Sequence, residues 1–407
     1  MLRNRTLLAI SLSVCAAYTG IGMVGPVRVL FAQAHGASLA IIGAMASAYL
    51  ISNFVFQYPS GWLADRWGRK QVMVLGLFIQ AVLSLLYLVI SDPILFVVLR
   101  FVEGMAAAAV LPSARALIID IVPAEKQGEA FGIFSAFFSA GFLLGPGLGG
   151  LLATTGYASA FIGAALFRVV AIILVIFMIP AVRKETRSTS RSEEAGPAIS
   201  YRALFALPLV GAYILAFGDY LYLGFDLTLM PLWMHDHLGA SVAIIGIAYM
   251  GWSIPNIILS PVGGRVADRQ RRSLIIAIFG LAQVPIYLLL GLATMASVVV
   301  VLFIIHGCLY AFIQPAVDAH IATSSHSTMR ARVQGMYSTF GLVGAFFGAN
   351  LFSPLYAINY HLPLFTMGVL FGFCVIVGGI MVRISESRRK VVEVVEEPIV
   401  KKFATDI

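Results

Sequence analysis

The stretch that decides the fold is GWLADRWGRK, from Gly61 to Lys70. It places three basic residues and one acid between two long apolar runs. A weaker copy, GRVADRQRRS, occupies Gly264 to Ser273, 203 residues further along the chain. A charged loop that recurs at a fixed spacing in an apolar chain indicates two homologous halves, each turning on the same side of a membrane.

The repeat extends well beyond the charged loop. GASLAIIG at Gly36–Gly43 and GASVAIIG at Gly239–Gly246 are identical at seven of eight positions, again 203 residues apart. Apolar letters match easily by chance, but glycine, proline and asparagine positions do not. Several such positions keep the register: Asn53/Asn256, Gln80/Gln283, Gly104/Gly307 and Pro112/Pro315.

The composition excludes a soluble protein. Of 407 residues, 60% are hydrophobic and 11% are charged, with a mean hydropathy of +0.94, whereas soluble domains have about 25% charged residues. The net charge of +8 does not indicate nucleic acid, because the basic residues lie in short loops between apolar segments. Cys15, Cys308 and Cys374 lie inside apolar runs without ligand-type spacing, so we expect neither a disulfide nor a metal site, and no cofactor.

Roughly 20 residues span about 30 Å of hydrocarbon as a helix. This rule predicts an all-α membrane protein with twelve transmembrane helices in two pseudo-symmetric six-helix bundles. The predicted organisation is an N-terminal bundle (1–182), a cytosolic linker (183–202), a C-terminal bundle (203–383) and a cytosolic tail (384–407). The predicted spans are 6–31, 39–60, 71–90, 94–118, 129–153, 158–181, 204–233, 242–262, 273–293, 297–321, 332–357 and 362–382.

The distribution of lysine and arginine predicts the orientation. The loops placed outside, including 32–38, 154–157 and 234–241, contain neither residue. Basic residues concentrate in cytosolic loops of membrane proteins. We therefore expect both termini in the cytosol and the chain in the plasma membrane. Because each half has an even number of spans, the halves should share one orientation and enclose a cavity at midplane.

Three motifs resemble those of the major facilitator superfamily. GWLADRWGRK resembles its signature loop between helices 2 and 3, with matching residues at Gly61, Asp65, Arg66, Gly68, Arg69 and Lys70. The second copy departs from the pattern at Gln270 and Arg271. RFVEGMAAAAVLP resembles the family's arginine-glycine element, which implies a role for Arg100 in proton transfer. The resemblance covers nearly the whole chain.

GFLLGPGLGG, in the fifth span, resembles the glycine-proline motif of the drug:proton antiporter branch. Small residues four apart share one helix face and let another backbone approach closely, and a proline inside a helix removes one hydrogen bond and kinks it. The second half has Ala349 in place of the proline. The motif residues are Gly141, Gly145, Pro146, Gly149 and Gly150.

Charged groups inside the hydrocarbon normally face a cavity or a partner. Arg100 and Glu103 are three residues apart and share a helix face, as an ion pair or as a proton site. His306 takes the position of Glu103 in the second half, where it either exchanges protons or forms a structural hydrogen bond. Asp219 and Asp226 lie seven residues apart, within about 20° around the helix axis.

Further intramembrane residues have predicted roles. Tyr222 lies between the two aspartates, and the resemblance places Asp219 on a cavity-lining helix, where it would bind a cationic substrate, a proton or both. Two gate pairs are predicted from position: Arg28 with Asp226 outside, and Arg115 with Asp318 inside. Asp65, Arg69 and Asp120 are predicted to form a cytosolic latch that holds the outward-facing state by gripping the opposite half and rearranges when protonated. Independent pairing with loop residues is the alternative for Arg115 and Asp318. The triplet His235–Asp236–His237 is predicted to be a solvated loop and not a metal site.

Together these patterns predict a proton-coupled secondary transporter that exports small apolar or cationic compounds by alternating access. The alternative is a proton symporter or facilitator for a sugar or another small metabolite. No HExxH, GxSxG or Walker sequence is present, so neither an enzyme nor an ATP-driven pump is expected. The expected partners are a small-molecule substrate, protons and the lipid bilayer, without nucleic acid, and the expected state is a monomer.

Overall fold

The computed structural model describes residues 4–123, 126–180, 204–325 and 329–404, without the side chains of residues 330–331 and 388–404. Within these ranges every regular element is a helix. Twelve helical segments are long and apolar enough to cross a membrane, which confirms the predicted number. The predicted linker at 183–202 lies outside the described residues.

Six long helices form the first half: α1 (Arg5–Ala34), α2 (Leu39–Trp67), α3 (Arg69–Leu86), α4 (Pro93–Ile121), α5 (Gln127–Leu152) and α6 (Tyr157–Met178). Polar side chains next to the apolar runs cap the N-termini of several helices. The Asn4 side chain accepts hydrogen bonds from the backbone of Thr6 and Leu7 at 3.1 Å, and Asp92 caps α4 at 2.8 Å. Such caps satisfy amides that have no partner inside the helix.

The second half differs from the predicted spans in three places. The span predicted at 204–233 ends at Asp226, and a separate helix follows. The triplet His235–Asp236–His237 therefore lies in a helix and not in a loop. The ninth span is interrupted at Ala282 and Gln283, and the last helix continues past its predicted end. The helices are α7 (Leu207–Asp226), α8 (Leu229–Leu238), α9 (Val242–Arg269), α10 (Arg272–Leu281), α11 (Val284–Leu292), α12 (Ala296–Ser324), α13 (Arg330–Ile358) and α14 (Leu362–Ala404).

Each half packs as a bundle with the same set of neighbours. In the first half, α1 packs on α5 and α6, and α4 packs on α2 and α3. In the second half, α7 packs on α13 and α14, and α12 packs on α9 and α10. We call the end with Gly61–Lys70 and Gly264–Ser273 the charged face, and the other end, with Gln33 and Asp236, the opposite face.

Candidate functional site

A buried ion cluster centred on Glu103 lies inside the first bundle. The two carboxylate oxygens of Glu103 lie 3.0 Å from Arg28 Nη2 and 3.0 Å from Arg100 Nη1. Arg168 Nη2 lies 3.5 Å from Glu103 Oε1. The predicted pairing of Arg100 with Glu103 is thus present, within a larger group. Three guanidinium charges and one carboxylate leave a formal charge of 3 − 1 = +2 in the cluster.

Neutral side chains complete this cluster. Arg168 is fully buried and donates hydrogen bonds to Ser84 Oγ at 2.5 Å and to Gln80 Oε1 at 3.4 Å. The Arg100 guanidinium lies 4.1 Å from the ring centroid of Tyr49, a cation–π contact. Sequence reasoning assigned no role to Arg168. The position of Arg168 inside an apolar span could have indicated a buried partner, because an unpaired charge in the hydrocarbon is energetically costly.

The equivalent site in the second bundle is neutral. His306 Nε2 lies 3.1 Å from Gln283 Oε1 and 3.3 Å from the Tyr287 hydroxyl. The positions equivalent to the arginines of α4 and α6 hold Phe303 and Phe371, and Phe371 contacts Tyr287 edge to face at 5.3 Å. Hydrogen bonds and rings therefore replace the ion pairs of the first bundle. This arrangement favours the structural interpretation of His306.

Asp219 on α7 and Asp318 on α12 have neutral hydrogen-bond partners, unlike Glu103. The Tyr310 hydroxyl on α12 donates to Asp219 Oδ2 at 2.9 Å, and Gln314 Nε2 donates to Asp318 Oδ1 at 3.1 Å. The Tyr310 hydroxyl is also 3.1 Å from Gln314 Oε1. A row of polar groups thus runs along α12 from Asp219 towards the charged face.

Asp226 ends α7 close to the opposite face. Its backbone carbonyl accepts a hydrogen bond from the Tyr249 hydroxyl at 2.9 Å. Its side-chain carboxyl is buried beside the phenols of Tyr222 and Tyr249, and its Oδ1 has no hydrogen bond of ordinary geometry among the described residues. Neither Asp226 nor Asp219 forms an ion pair within the part of the chain that the structure describes. A buried acidic oxygen without a partner is a binding position for a proton, a cation or a polar ligand.

Both predicted gate pairs are absent. Arg28 points into its own bundle, where Glu103 satisfies it, so the predicted pairing with Asp226 is wrong. Asp318 accepts from Gln314, and Arg115 is exposed without an ion pair among the described side chains. The predicted inner pair does not form because the two bundles are apart at the charged face.

The predicted latch residues do meet, but within one bundle. Arg69 Nη1 lies 2.5 Å from Asp120 Oδ2 and donates to the backbone oxygen of Ala116 at 2.5 Å. Arg69 Nη2 is 3.9 Å from the largely exposed Asp65. These contacts join α2, α3 and α4. The cluster does not reach the opposite half here, and the predicted grip, which belongs to the outward-facing state, stays a prediction.

The rest of the signature loop turns and anchors the chain. Gly68 has a φ of 108°, a conformation that only glycine adopts without strain. Lys70 Nζ donates to the carbonyl oxygens of Ile176 and Ile179 at 2.8 Å and 2.5 Å, which ties α3 to the end of α6. Arg66 stacks on Trp62, with its guanidinium carbon 5.5 Å from the ring centroid.

The glycine-proline motif packs on two different partners. A Cβ built on Gly141 would lie 2.5 Å from the Cys15 oxygen, and one on Gly145 would lie 2.6 Å from Gly22 Cα. Gly149 would meet the Met23 oxygen. The predicted small face therefore exists and packs on α1. The helix continues through Pro146.

A second face of the same motif meets the other half. A Cβ on Gly150 would lie 2.6 Å from the Val242 oxygen, and one on Gly246 would meet the Pro146 oxygen. The symmetric crossing joins α2 to α13, where a Cβ on Gly43 would lie 3.0 Å from the Ala349 oxygen. The sequence identified the glycines but not this inter-bundle face. Both faces of α5 carry glycine, so the pattern alone does not tell which face packs on which helix.

These crossings lie near the opposite face, where the two halves touch. Asn350 Nδ2 donates to Ser47 Oγ at 2.7 Å, and Gln33 Nε2 donates to Asp236 Oδ2 at 2.7 Å. Towards the charged face no side-chain hydrogen bond or ion pair joins the two halves within the described residues, and a Cβ added at Gly61, Gly132, Gly264 or Gly335 would meet nothing within 4 Å. The space between the bundles therefore opens at the charged face and is closed at the opposite face.

Sequence comparison finds relatives along the whole chain. It is 25% identical over 388 residues to Multidrug resistance protein 2 of Bacillus subtilis (strain 168), which covers 92% of this chain and 94% of the relative. It is 25% identical over 380 residues to Quinolone resistance protein NorA of Staphylococcus aureus (strain COL), with 92% and 96% covered.

The fold is shared with solved transporter structures. An inward-facing, unoccupied bacterial homolog of the human lysosomal transporter Spinster superposes with a TM-score of 0.75 at 16% identity, covering 93% of this chain and 96% of that chain. A D-xylose-proton symporter superposes with a TM-score of 0.74 at 15% identity, covering 93% and 96%. The family model described as Major Facilitator Superfamily matches residues 10–349 and 212–404. The chain is an integral membrane protein and belongs to the Major Facilitator Superfamily.

Proposed function

We propose that this chain exports small apolar or cationic compounds in exchange for protons, by alternating access. The names of its relatives support the export of drug-like compounds, since they include a multidrug and a quinolone resistance protein. The resemblance of Gly141–Gly150 to the glycine-proline motif of the drug:proton antiporter branch supports the same direction of transport. The absence of nucleotide-binding sequences in the chain leaves an ion gradient as the energy source.

We place the protein in the plasma membrane. In the proposed orientation the charged face and both termini lie on the cytosolic side. The loops at the opposite face, such as 32–38 and 234–241, contain no lysine or arginine, and basic loops stay inside. In that orientation the structure is open to the cytosol. Substrate would enter between the bundles, and separation of the α5–α9 and α2–α13 crossings would release it outside.

The observation that carries the proposed coupling is the contrast between the acids. Glu103 is surrounded by three guanidinium groups, so its charge is already matched. Asp219 has one phenol donor, and Asp226 has phenols beside it but no ion pair among the described residues. A carboxyl group without a counter-ion gains most from binding a proton or a cationic substrate. We therefore assign coupling to Asp219 and Asp226, and a structural role to the Glu103 cluster.

Transport in reconstituted vesicles tests this assignment. A fluorescent lipophilic cation and a proton-sensitive dye would be followed together under an imposed pH gradient. We expect Asp219→Asn and Asp226→Asn each to abolish gradient-driven accumulation. Asp92→Asn, an exposed acid at the start of α4, is the matched control and should transport normally. If both variants kept the pH dependence of the unmodified protein, coupling would lie elsewhere. Substrate movement in the same direction as protons would favour the symporter.

A further inference from the structure

A cleft at the charged face lies outside the transport path. It lies between α10 and α14 of the second bundle and has a volume of about 810 Å³. Its upper part is polar and includes Arg271 and Arg383. Its lower part continues along the outer surface as an apolar groove that includes Leu274, Leu281 and Ile380. Of these, Leu274 is 51% exposed and Ile380 is 53% exposed.

The arginines of this cleft have no acidic partner. Neither Arg271 nor Arg383 forms an ion pair or hydrogen bond within the described part of the chain. Two carboxylates also line the cleft, Asp268 and Glu386. Glu386 is engaged by Ser273, whose backbone amide and hydroxyl donate to it at 3.3 Å and 2.5 Å. Asp268 is exposed and forms no ion pair with Arg271 or Arg383. Arg272 donates to Thr323 Oγ1 at 2.5 Å. Four arginines and two carboxylates line the cleft, a net formal charge of 4 − 2 = +2, and Arg271 and Arg383 lie next to the apolar groove without a partner among the described residues.

The first bundle contains the equivalent cleft without this charge. A cleft of about 500 Å³ lies between α3 and α6, lined in part by Lys70, Gln71 and Phe78. Adding 203 to these numbers gives Ser273, Leu274 and Leu281, which line the second cleft. In the first cleft the lysine is bound to the last carbonyl oxygens of α6. The fold thus repeats the groove, and only the second copy has unpaired arginines.

We propose that the cleft between α10 and α14 binds a phospholipid with an anionic headgroup. Its phosphate would lie between Arg271 and Arg383, and one acyl chain would occupy the groove along Leu274 and Ile380. The chemistry fits because guanidinium groups match phosphate oxygens and because the cytosolic leaflet carries the anionic lipids. Neutral zwitterionic lipids lack the net charge that two unmatched arginines select.

Native mass spectrometry of the purified full chain in mixed micelles would measure this binding. The probes are phosphatidylglycerol and phosphatidylcholine with the same acyl chains. We expect phosphatidylglycerol to bind more tightly, and the double variant Arg271→Gln/Arg383→Gln to bind it about 30-fold more weakly, since each basic residue near a membrane surface contributes about a factor of five. The control is Arg5→Gln/Arg332→Gln, which removes two exposed arginines outside the cleft and should change affinity less than about twofold.

Two further measurements keep the test decisive. Ala277→Phe fills the apolar groove without changing charge and should also weaken binding, so this variant decides the outcome if the double variant fails to fold. Millimolar inorganic phosphate should not displace the lipid. The proposal is overturned if both lipids bind equally, if the cleft and control variants bind alike, or if free phosphate replaces the lipid. Lipid binding is measured without substrate, so its failure leaves the proposed transport untouched.

Discussion

Replacing Glu103 with glutamine should destabilise the protein far more than the same change at Asp219. Glu103 is held by three arginines, with nitrogen to oxygen distances of 3.0, 3.0 and 3.5 Å. Removing one partner of a buried ion pair costs about 3–5 kcal/mol, because the remaining charge is left unmatched. Since three charges lose the same partner, we expect the upper end, about 5 kcal/mol.

The matched comparison is Asp219→Asn. Asp219 accepts one hydrogen bond from Tyr310, and an asparagine oxygen can still accept it. The expected loss is therefore at most about 1 kcal/mol, the net contribution of one ordinary hydrogen bond. Equilibrium unfolding in mixed micelles with increasing denaturing detergent would give both free energies on one scale.

A compensating change tests the electrostatic reason directly. Glu103→Gln raises the formal charge of the cluster from +2 to +3, and adding Arg168→Met returns it to 3 − 1 = +2. We expect the double variant to recover part of the lost stability, although it gives up the hydrogen bonds of Arg168 to Ser84 and Gln80. If Glu103→Gln unfolded at the same detergent fraction as Asp219→Asn, the charge argument for this cluster would be wrong.

Three further predictions follow from individual contacts. Gly246→Val should disrupt the α5–α9 crossing and increase labelling of a cysteine placed at Ser47, which is buried where the halves meet, by a membrane-impermeant reagent, whereas Gly264→Val, on the same helix but in open space, should leave labelling unchanged. Asp120→Asn, which removes the 2.5 Å pair with Arg69, should slow transport more than Asp65→Asn, whose exposed 3.9 Å pair contributes about 0–1 kcal/mol; equal rates for the two would contradict this ranking. Tyr310→Phe should weaken substrate-linked proton release by severalfold, about the effect of one lost hydrogen bond, and an unchanged proton signal would show that Asp219 acts without this phenol.

The 203-residue repeat predicted many structural equivalences correctly. Gly43 on α2 and Gly246 on α9 occupy matching crossings, against Ala349 and Pro146. Arg272 and Thr323 meet at the positions equivalent to Arg69 and Asp120. Such pairs are predictable because duplicated helices keep the packing surfaces of their ancestor. Glycine and polar residues recur at these surfaces, whereas lipid-facing positions require only apolar residues.

The sequence alone determined what depends on distance along a helix. The number of spans follows from a rise of 1.5 Å per residue, and the small face of α5 and the pairing of Arg100 with Glu103 follow from 3.6 residues per turn. The tertiary structure decided what depends on how helices rotate and approach one another. It turned Arg28 inward to Glu103, brought Arg168 into the same cluster, and separated Arg115 from Asp318. Helix rotation is set by packing against neighbours, and no spacing within one helix records it.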